Sequence, residues 1–393
     1  MKKVLFFMPD NPLKKNAGNR TRALSMLSYF KSRNFEIDFV SEYYTGRWDE
    51  TDIKAFEQSG LADNTYVIKK KPSKKNILYY LLFYKLPNFF YQNKAWFFPL
   101  QFPEMVTLRF KRAFNKVLKK NNYDYIFINY ASWATLMAHN HHTKKAIKVI
   151  DTHDFITAQL QKKVNIGQAF KEEIRRISLF DIALAISVEE QYIFSQFCKN
   201  KVALAPMMLD RPETIHSVEK KTFDLIYVAS DNIHNQKAAN WFFKEVYPLL
   251  PTNVQICVIG QINEHLSIKA HNITSVHFVE ELSGYYLNAK VALCPMLTGT
   301  GTKIKVIEAL SYGMPVVCNT RGIDGLIDKT NNGCLVSDDP VEFRNCIVQL
   351  LTDESVYQKQ AENALATFNL NYEKESCYKK LDIVFGIANN LKN

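Results

Sequence analysis

The chain has 393 residues, 47% apolar and 23% charged, which excludes a disordered or fibrous protein and exceeds what one ordinary hydrophobic core accommodates. Its net charge of +11 is unevenly placed: residues 1–200 hold 32 Lys and Arg against 18 Asp and Glu, a balance of +14, whereas residues 201–393 balance at −3. Charge confined to one half directs that half toward something anionic.

Val4–Phe7 is a short apolar run ended by Pro9-Asp10-Asn11-Pro12 and predicts a buried parallel strand. A loop with Ala17-Gly18-Asn19 leads into residues 20–33, where Ala23, Leu24, Leu27 and Phe30 have helical spacing, and Phe35–Val40 alternates like a strand. Strand, loop, helix and strand in that order open a doubly wound sheet. Further strands are predicted at Tyr125–Asn129, Lys148–Asp151, Ile182–Ser187 and Val202–Pro206. The pattern then restarts with strand Asp224–Val228, helix Ala238–Leu250, and strands Gln255–Gly260, Val276–Val279 and Val291–Pro295. Helix Lys303–Tyr312, stopped by Gly313, precedes strand Pro315–Cys318, helices over 340–352 and 354–367, and a helical tail over 372–391. The expected division is an N-terminal domain over 1–206, a linker over 207–222, a second domain over 223–371, and a C-terminal helix within 372–393 packing back on the first domain. Two such α/β halves predict a ligand cleft between them.

The seven cysteines show no CxxC spacing and most sit in apolar runs such as Ile256-Cys257-Val258-Ile259, which reads as reduced core thiols. Met1-Lys2-Lys3 is followed by too few apolar residues for a signal peptide, and no run approaches the ~20 needed to span a bilayer. The expectation is a cytoplasmic protein, at most peripheral on the inner membrane face.

The most informative segment runs from Pro295 through Thr298-Gly299-Thr300-Gly301-Thr302-Lys303 to Leu310. A strand ends, a Gly/Thr loop follows and a helix begins, so backbone N–H groups, hydroxyls and a Lys converge as an anion site. The GxxxxGK[ST] spacing is absent. The alternative is a Gly-rich turn with a surface Lys and a capping Thr. With Gly313-Met314-Pro315-Val316-Val317 and Thr320-Arg321-Gly322-Ile323-Asp324-Gly325-Leu326, this segment resembles the C-terminal half of family-4 glycosyltransferases of the GT-B fold. Asn235, Asn240-Trp241-Phe242, Tyr247-Pro248 and Val258-Ile259-Gly260 match the same group.

The resemblance implies an α/β protein with two Rossmann-like doubly wound domains facing a central cleft. It implies that Glu308, the second acid of the family's E-x7-E pair, accepts hydrogen bonds from a nucleotide ribose, and that the first acid is replaced by Thr300. Gly301, Thr302 and Lys303 fall where the family offers backbone N–H groups to the diphosphate, with Lys303 and Lys305 neutralising the departing nucleoside diphosphate. Lys237 falls where the family carries a phosphate-binding pair, or is a plain surface residue; the base lies near 277–280, beside Val279, read by backbone atoms. Gly18 takes the place of the family's glycine loop. His153 falls near the donor sugar, with Asp154 or Asp151 beside the acceptor hydroxyl; the plain alternative for either Asp is a helix cap. Arg20 and Arg22 either touch anionic groups or form a solvated first helical turn. Ser187-Val188-Glu189-Glu190 reads as a helix cap. His139, His141 and His142 lack acidic or thiol partners nearby and read as a solvated helix end, and no DxD triplet is present.

Residues 69–120 hold 13 Lys and Arg, one acid (Glu104) and 13 aromatics, a composition suited to the headgroup region of an anionic membrane. The alternatives are a core-packed insertion with solvated lysines, or nucleic acid, which is not expected. The expected activity is transfer of a sugar from a UDP- or GDP-type sugar to a glycan or lipid-linked acceptor, with retention, without metal or other cofactor, in bacterial surface polysaccharide, lipopolysaccharide or glycoprotein glycan synthesis. A sugar-nucleotide epimerase and a non-catalytic nucleotide-sugar-binding subunit of the same fold are the other classes.

Overall fold

The computed structural model describes residues 1–14, 17–44, 46–92, 101–143, 145–160, 164–212, 221–266, 268, 270–299 and 301–387. Thr300, part of the basic aromatic span (93–100, with Trp96, Phe97 and Phe98), most of the expected linker (213–220) and the end of the tail (388–393) lie outside the described residues. The chain divides into two compact units, Met1–Ala205 and Pro206–Asn393.

The first unit is built on strands β1 (Lys3–Phe7), β2 (Glu36–Tyr43), β3 (Asn64–Lys69), β4 (Tyr125–Asn129), β5 (Ile147–Asp151), β6 (Ile182–Ala185) and β7 (Lys201–Leu204). They form one sheet in the order β3-β2-β1-β4-β5-β6-β7, and every pairing is parallel. The central strands are apolar on both faces because helices cover both. Phe6 stacks on Phe127 at 4.7 Å on one side, and Phe7 meets Trp133 at 4.8 Å on the other. The first helix, Gly18–Ser32, starts two residues before its expected position, and Asn34 in a left-handed conformation (φ 57°) turns the chain into β2.

The second unit holds β8 (Phe223–Val228), β9 (Ile256–Ile259), β10 (Ile273–Val276), β11 (Ala289–Cys294), β12 (Val316–Cys318) and β13 (Cys334–Val336), in the parallel order β10-β9-β8-β11-β12-β13. Both sheets are therefore doubly wound. The strand expected at Val276–Val279 lies three residues earlier, where Ile273 and Val276 pair with Ile256 and Ile259, and Phe278 is left exposed beyond the sheet. The helix expected from Ala238 begins at Ile233, because Asn232 caps it by accepting from the His234 and Asn235 N–H groups. It passes through a π-helical turn at Phe242–Val246 and ends in a tight turn at Tyr247–Leu249. Gly313 stops the helix Ile304–Ser311 as expected, its N–H bonding Leu310 O while Met314 N–H reaches Ala309 O. The last helices are Pro340–Thr352, Glu354–Asn371 and Lys374–Val384. Among the described residues, no helix is long and apolar enough to cross a membrane.

Candidate functional site

β11 ends at Cys294, Pro295 and Met296 follow it, both buried, and the chain then leaves the sheet edge as a loop. Gly299, Gly301 and Gly325 around this loop have φ of 98°, 77° and 81°. Gly325 is required by contact as well as by φ, since a Cβ there would overlap Thr302 Oγ1. Lys303 is the extended N-cap of the helix Ile304–Ser311; no side chain caps that end, and no acid stands in its first turn. Thr302 Oγ1 is buried without a hydrogen-bond partner among the described residues. A helix start that no side chain caps, with an orphaned hydroxyl beside it, has the chemistry of an anion site.

The two lysines stand inside this arrangement. Lys303 is only 8% exposed, and its ammonium donates to Gly301 O at 2.6 Å. Lys305 Nζ donates to Asn235 Oδ1 at 3.1 Å and lies 5.5 Å from the centre of the Tyr227 ring. Burial pushes both ammonium pKa values below the ordinary lysine range. The loop thus holds more positive charge than its surroundings solvate, a condition that a bound anion relieves.

Glu308, one turn further along the helix, lines a pocket of about 760 Å³ with Glu280, Leu282, Ser283, Tyr286 and Tyr312. Tyr286 Oη donates to Glu308 Oε2 at 3.3 Å and stacks on Tyr312 at 5.0 Å. Burial raises the Glu308 pKa, against the opposing pull of the Tyr286 hydroxyl and Lys305. A carboxylate in a half-enclosed pocket has acceptor capacity for hydroxyl donors. Val279 is half-buried against the same apolar cluster as Leu282 and Ile304. Lys237 is exposed on the helix Ile233–Trp241, on the side away from the buried Ala238 and Ala239.

In the first unit, the C-terminal ends of β4 and β5 carry a second polar cluster. His153 and Tyr130 both adopt left-handed backbone conformations (φ 60° and 72°), and their rings stack at 4.3 Å. Bulky side chains in that region store strain that surrounding contacts must hold. The His153 Nε2 lies 2.6 Å from Asn129 Oδ1 and 3.7 Å from Asp151 Oδ2. Burial, helped by the Arg22 charge and opposed by Asp151, lowers the imidazole pKa to about 4, so the ring is neutral at pH 7. Asp154 is partly buried, accepts from Gln159 Nε2 at 2.9 Å, and burial raises its pKa.

Two sequence candidates take structural places instead. Arg22 is fully buried and grips Asp151 with Nε and Nη2 at 2.8 Å each, while its Nη1 reaches Ala205 O at 2.6 Å. Neither is a solvated helix start or a free acceptor-side carboxylate, because each neutralises the other. Arg20 bonds Asp10 at 3.0 Å. Gly18 is the first residue of its helix, whose N-cap, Ala17, provides no side-chain acceptor.

The family model described as "Glycosyl transferases group 1" matches residues 222–353, the segment holding the β11 loop, Glu308 and Gly325. That segment is similar to glycosyltransferase group 1 domains. The chain that carries it is a transferase enzyme of the GT-B fold, and its solved neighbours share that architecture. Sucrose-phosphate synthase from Thermosynechococcus elongatus is 13% identical, with a TM-score of 0.66 over 100% of both chains. The Anabaena protein HepE, in complex with UDP and glucose, is 12% identical with a TM-score of 0.65, covering 98% of this chain and 100% of that one. TarM of Staphylococcus aureus, in complex with UDP among other ligands, is 14% identical with a TM-score of 0.65 over 98% and 100%. A protein of the cps region of Klebsiella pneumoniae, described as uncharacterized, is 21% identical over 97% of this chain and 99% of that relative.

Beside the β11 loop stands a residue that sequence spacing did not single out. His234 Nδ1 lies 2.8 Å from Thr298 Oγ1, on the same helix side as Lys237 three residues later, and a Cβ on Gly299 would press on its ring at 3.3 Å. In the first unit, the sequence marks Glu190 only as part of a cap. Ser187 is indeed that cap, accepting from Glu190 N–H at 3.2 Å, but the Glu190 side chain is buried, with its pKa raised to about 7 by burial and by Asp154. Its neighbour Glu173 accepts from the Ile156 and Thr157 N–H groups at 2.8 Å each, so buried carboxylates pin the loop that follows His153.

Proposed function

We propose that the chain transfers a sugar from a nucleoside-diphosphate sugar, of the UDP or GDP kind, to a glycan or lipid-linked acceptor. The observation that carries this reading is the β11 loop: an uncapped helix start, an unpartnered Thr302 hydroxyl and two under-solvated lysines, one turn before the pocket-lining carboxylate Glu308. In it, Gly301, Thr302 and Lys303 hold the diphosphate, Lys303 and Lys305 offset the negative charge that grows on the departing nucleoside diphosphate, and Glu308 accepts from the ribose hydroxyls. Val279 stands beside the base, and Lys237 remains an outlying cation. In the first unit, Gly18 begins the uncapped helix on the acceptor side, His153 contacts the donor sugar as a neutral imidazole, and Asp154, with its raised pKa, is the carboxyl beside the acceptor hydroxyl.

Retention follows from the family resemblance, with same-face attack and with charge stabilisation by lysines and backbone donors rather than a cofactor. The solved neighbours bound to UDP support the donor class, and the relative in a cps region supports surface polysaccharide synthesis. The acceptor stands at an anionic membrane, met peripherally through residues 69–120.

Thermal unfolding with UDP, GDP and UDP-glucose tests the donor site, because a ligand at a hundred times its Kd adds about 2.7 kcal/mol of stability. One of the three should raise Tm by several degrees. Glu308→Ala should weaken that ligand about tenfold, as loss of a charged acceptor does; unchanged affinity would remove the ribose assignment.

A further inference from the structure

The span 69–120 is not uniform. Helix Leu108–Leu118 packs Phe110, Phe114, Val117 and Leu118 into the core and turns Arg109, Arg112 and Lys116 outward. The preceding helical segment, Ile77–Gln92 with a π-helical turn at Leu81–Lys85, has the reverse polarity. Lys85 is exposed, but the amides of the segment face the protein: Asn88 Oδ1 accepts from Leu108 N–H at 3.1 Å, and Gln92 Nε2 donates to Val106 O at 2.9 Å. Its apolar residues face outward, with Ile77, Leu78, Leu82, Phe83, Leu86 and Phe90 each between 50% and 69% exposed. A helix that buries amides and exposes six large apolar side chains is built against something apolar.

Between this segment and helix Leu108–Leu118 lies a pocket of about 420 Å³. Lys69, Arg109, Arg112 and Lys116 supply its cations, Tyr79 and Phe83 its apolar wall, and among the described residues no carboxylate lines it. The single acid of the span is turned inward: Glu104 bonds Arg176 at 3.0 Å, Thr135 Oγ1 at 2.9 Å and Val106 N–H at 2.9 Å. Among the described residues, Glu42 is an acid whose charge reaches Tyr84 of the pocket, but Lys70 holds it at 3.5 Å. The cations of the pocket outnumber it, and a second copy would bring the same positive charge to this face.

We infer that the exposed face of residues 77–90 enters the headgroup region of an anionic bilayer and that the basic pocket beside it takes the phosphate of a lipid headgroup. The inference rests on the membrane reading proposed above and gives that reading a defined lipid site. The apolar side chains supply burial at the acyl boundary, and each cation near the surface adds attraction to anionic lipid. Pocket and face adjoin through Phe83, so one lipid meets both, its phosphate on Arg109, Arg112 and Lys116 and its chains along Leu82 and Phe90.

Cosedimentation of the full chain with phosphatidylcholine vesicles, with and without 30% phosphatidylglycerol, tests this. Binding to the anionic vesicles should exceed binding to the neutral ones at least tenfold. Arg109→Gln/Arg112→Gln/Lys116→Gln should lower it about tenfold or more, whereas Lys54→Gln/Lys171→Gln/Lys199→Gln, which removes equal charge from exposed sites elsewhere, should lower it less than threefold. Equal losses in the two triple variants would overturn the pocket while leaving a diffuse membrane contact. Phe83→Ser should also release the protein, and Phe83→Trp should gain quenching by brominated lipid over the parent chain, a readout that a folding defect does not mimic. No loss in Phe83→Ser together with no added quenching would overturn the membrane face altogether. So would an oligomer that dissociates in Phe83→Ser, or tighter binding to a single-stranded oligonucleotide than to vesicles of equal phosphate content. The UDP-dependent Tm rise is read separately, so its loss condemns the donor site and not this one.

Discussion

The ends of β11 and β5 are both polar clusters at the C-terminal edge of a parallel sheet, yet they are made in opposite ways. The β11 end is made of backbone: glycines with positive φ, an uncapped helix start and a hydroxyl without a partner among the described residues. The β5 end is made of side chains that satisfy one another, with Arg22 closing on Asp151 and a neutral His153 held between Asn129 and Tyr130. An uncapped helix start invites a ligand that brings charge, while a closed network fixes the position of one ring. The first arrangement suits a diphosphate and the second suits a residue that must not move or ionise.

The closed network should be the most expensive to break. Arg22→Met leaves Asp151 buried without its cation and should cost about 3–5 kcal/mol in denaturant unfolding, while Arg22→Met/Asp151→Leu should recover much of it, since paired removal spares the lone buried charge. A double variant no more stable than the single one would mean that the pair contributes through packing rather than charge.

The same cluster sets two opposed pH trends. Glu190, raised to about 7, contributes stability fully below its ordinary pKa near 4.5 and loses it as pH rises through 7. His153, lowered to about 4, contributes fully above its ordinary 6.5 and loses it as pH falls through 4. Between about pH 4.5 and 6.5 the two offset each other. Glu190→Gln removes the first trend, so its Tm should climb more steeply than the parent's from pH 5 to 7, by the equivalent of about 2–3 kcal/mol. Parallel curves would show that Glu190 titrates as an ordinary carboxyl in the folded protein.

How much of this the sequence disclosed follows the same division. Central strands such as Ile126-Phe127-Ile128 are continuous apolar runs and legible at once, and the Gly/Thr loop before Glu308 was legible from local spacing, because backbone sites are built from neighbours in the chain. β3 and β10 are edge strands with half-exposed residues, so their alternation is weak, and the more apolar Val276–Val279 displaced the true strand by three residues. The partners of the β5 cluster lie far apart in sequence: Arg22 meets Asp151 across 129 residues, and Tyr130 reaches His153 only through the β4–β5 pairing. No local spacing encodes such a contact. The basic aromatic span divided for the same reason, since composition counts Phe83 and Phe110 alike while tertiary packing exposes one and buries the other.

The open loop should respond more mildly. Gly325→Ala places a methyl group on Thr302 at a left-handed φ and should cost about 2 kcal/mol, with nucleotide affinity falling alongside stability. Adding Thr302→Ala should recover part of the stability, since the Cα and Cβ of residue 302 stay 2.9 and 3.0 Å from the new methyl and φ is unchanged, but no affinity, if the hydroxyl bonds phosphate. Recovery of both would make Thr302 a packing residue.

The smallest expected effect asks whether the loop is set before its ligand arrives. The His234–Thr298 hydrogen bond is exposed, so His234→Ala should change stability by less than about 1 kcal/mol. If that bond holds the loop in its binding shape, the variant should nevertheless lose about threefold to fivefold in UDP affinity, most of it as unfavourable entropy in calorimetry, because the ligand must then order the loop itself. An unchanged affinity would mean that the glycine turns and the buried Lys303 contact to Gly301 already fix the backbone. The β11 end would then be as preorganised as the β5 end, reached through covalent geometry instead of a side-chain network.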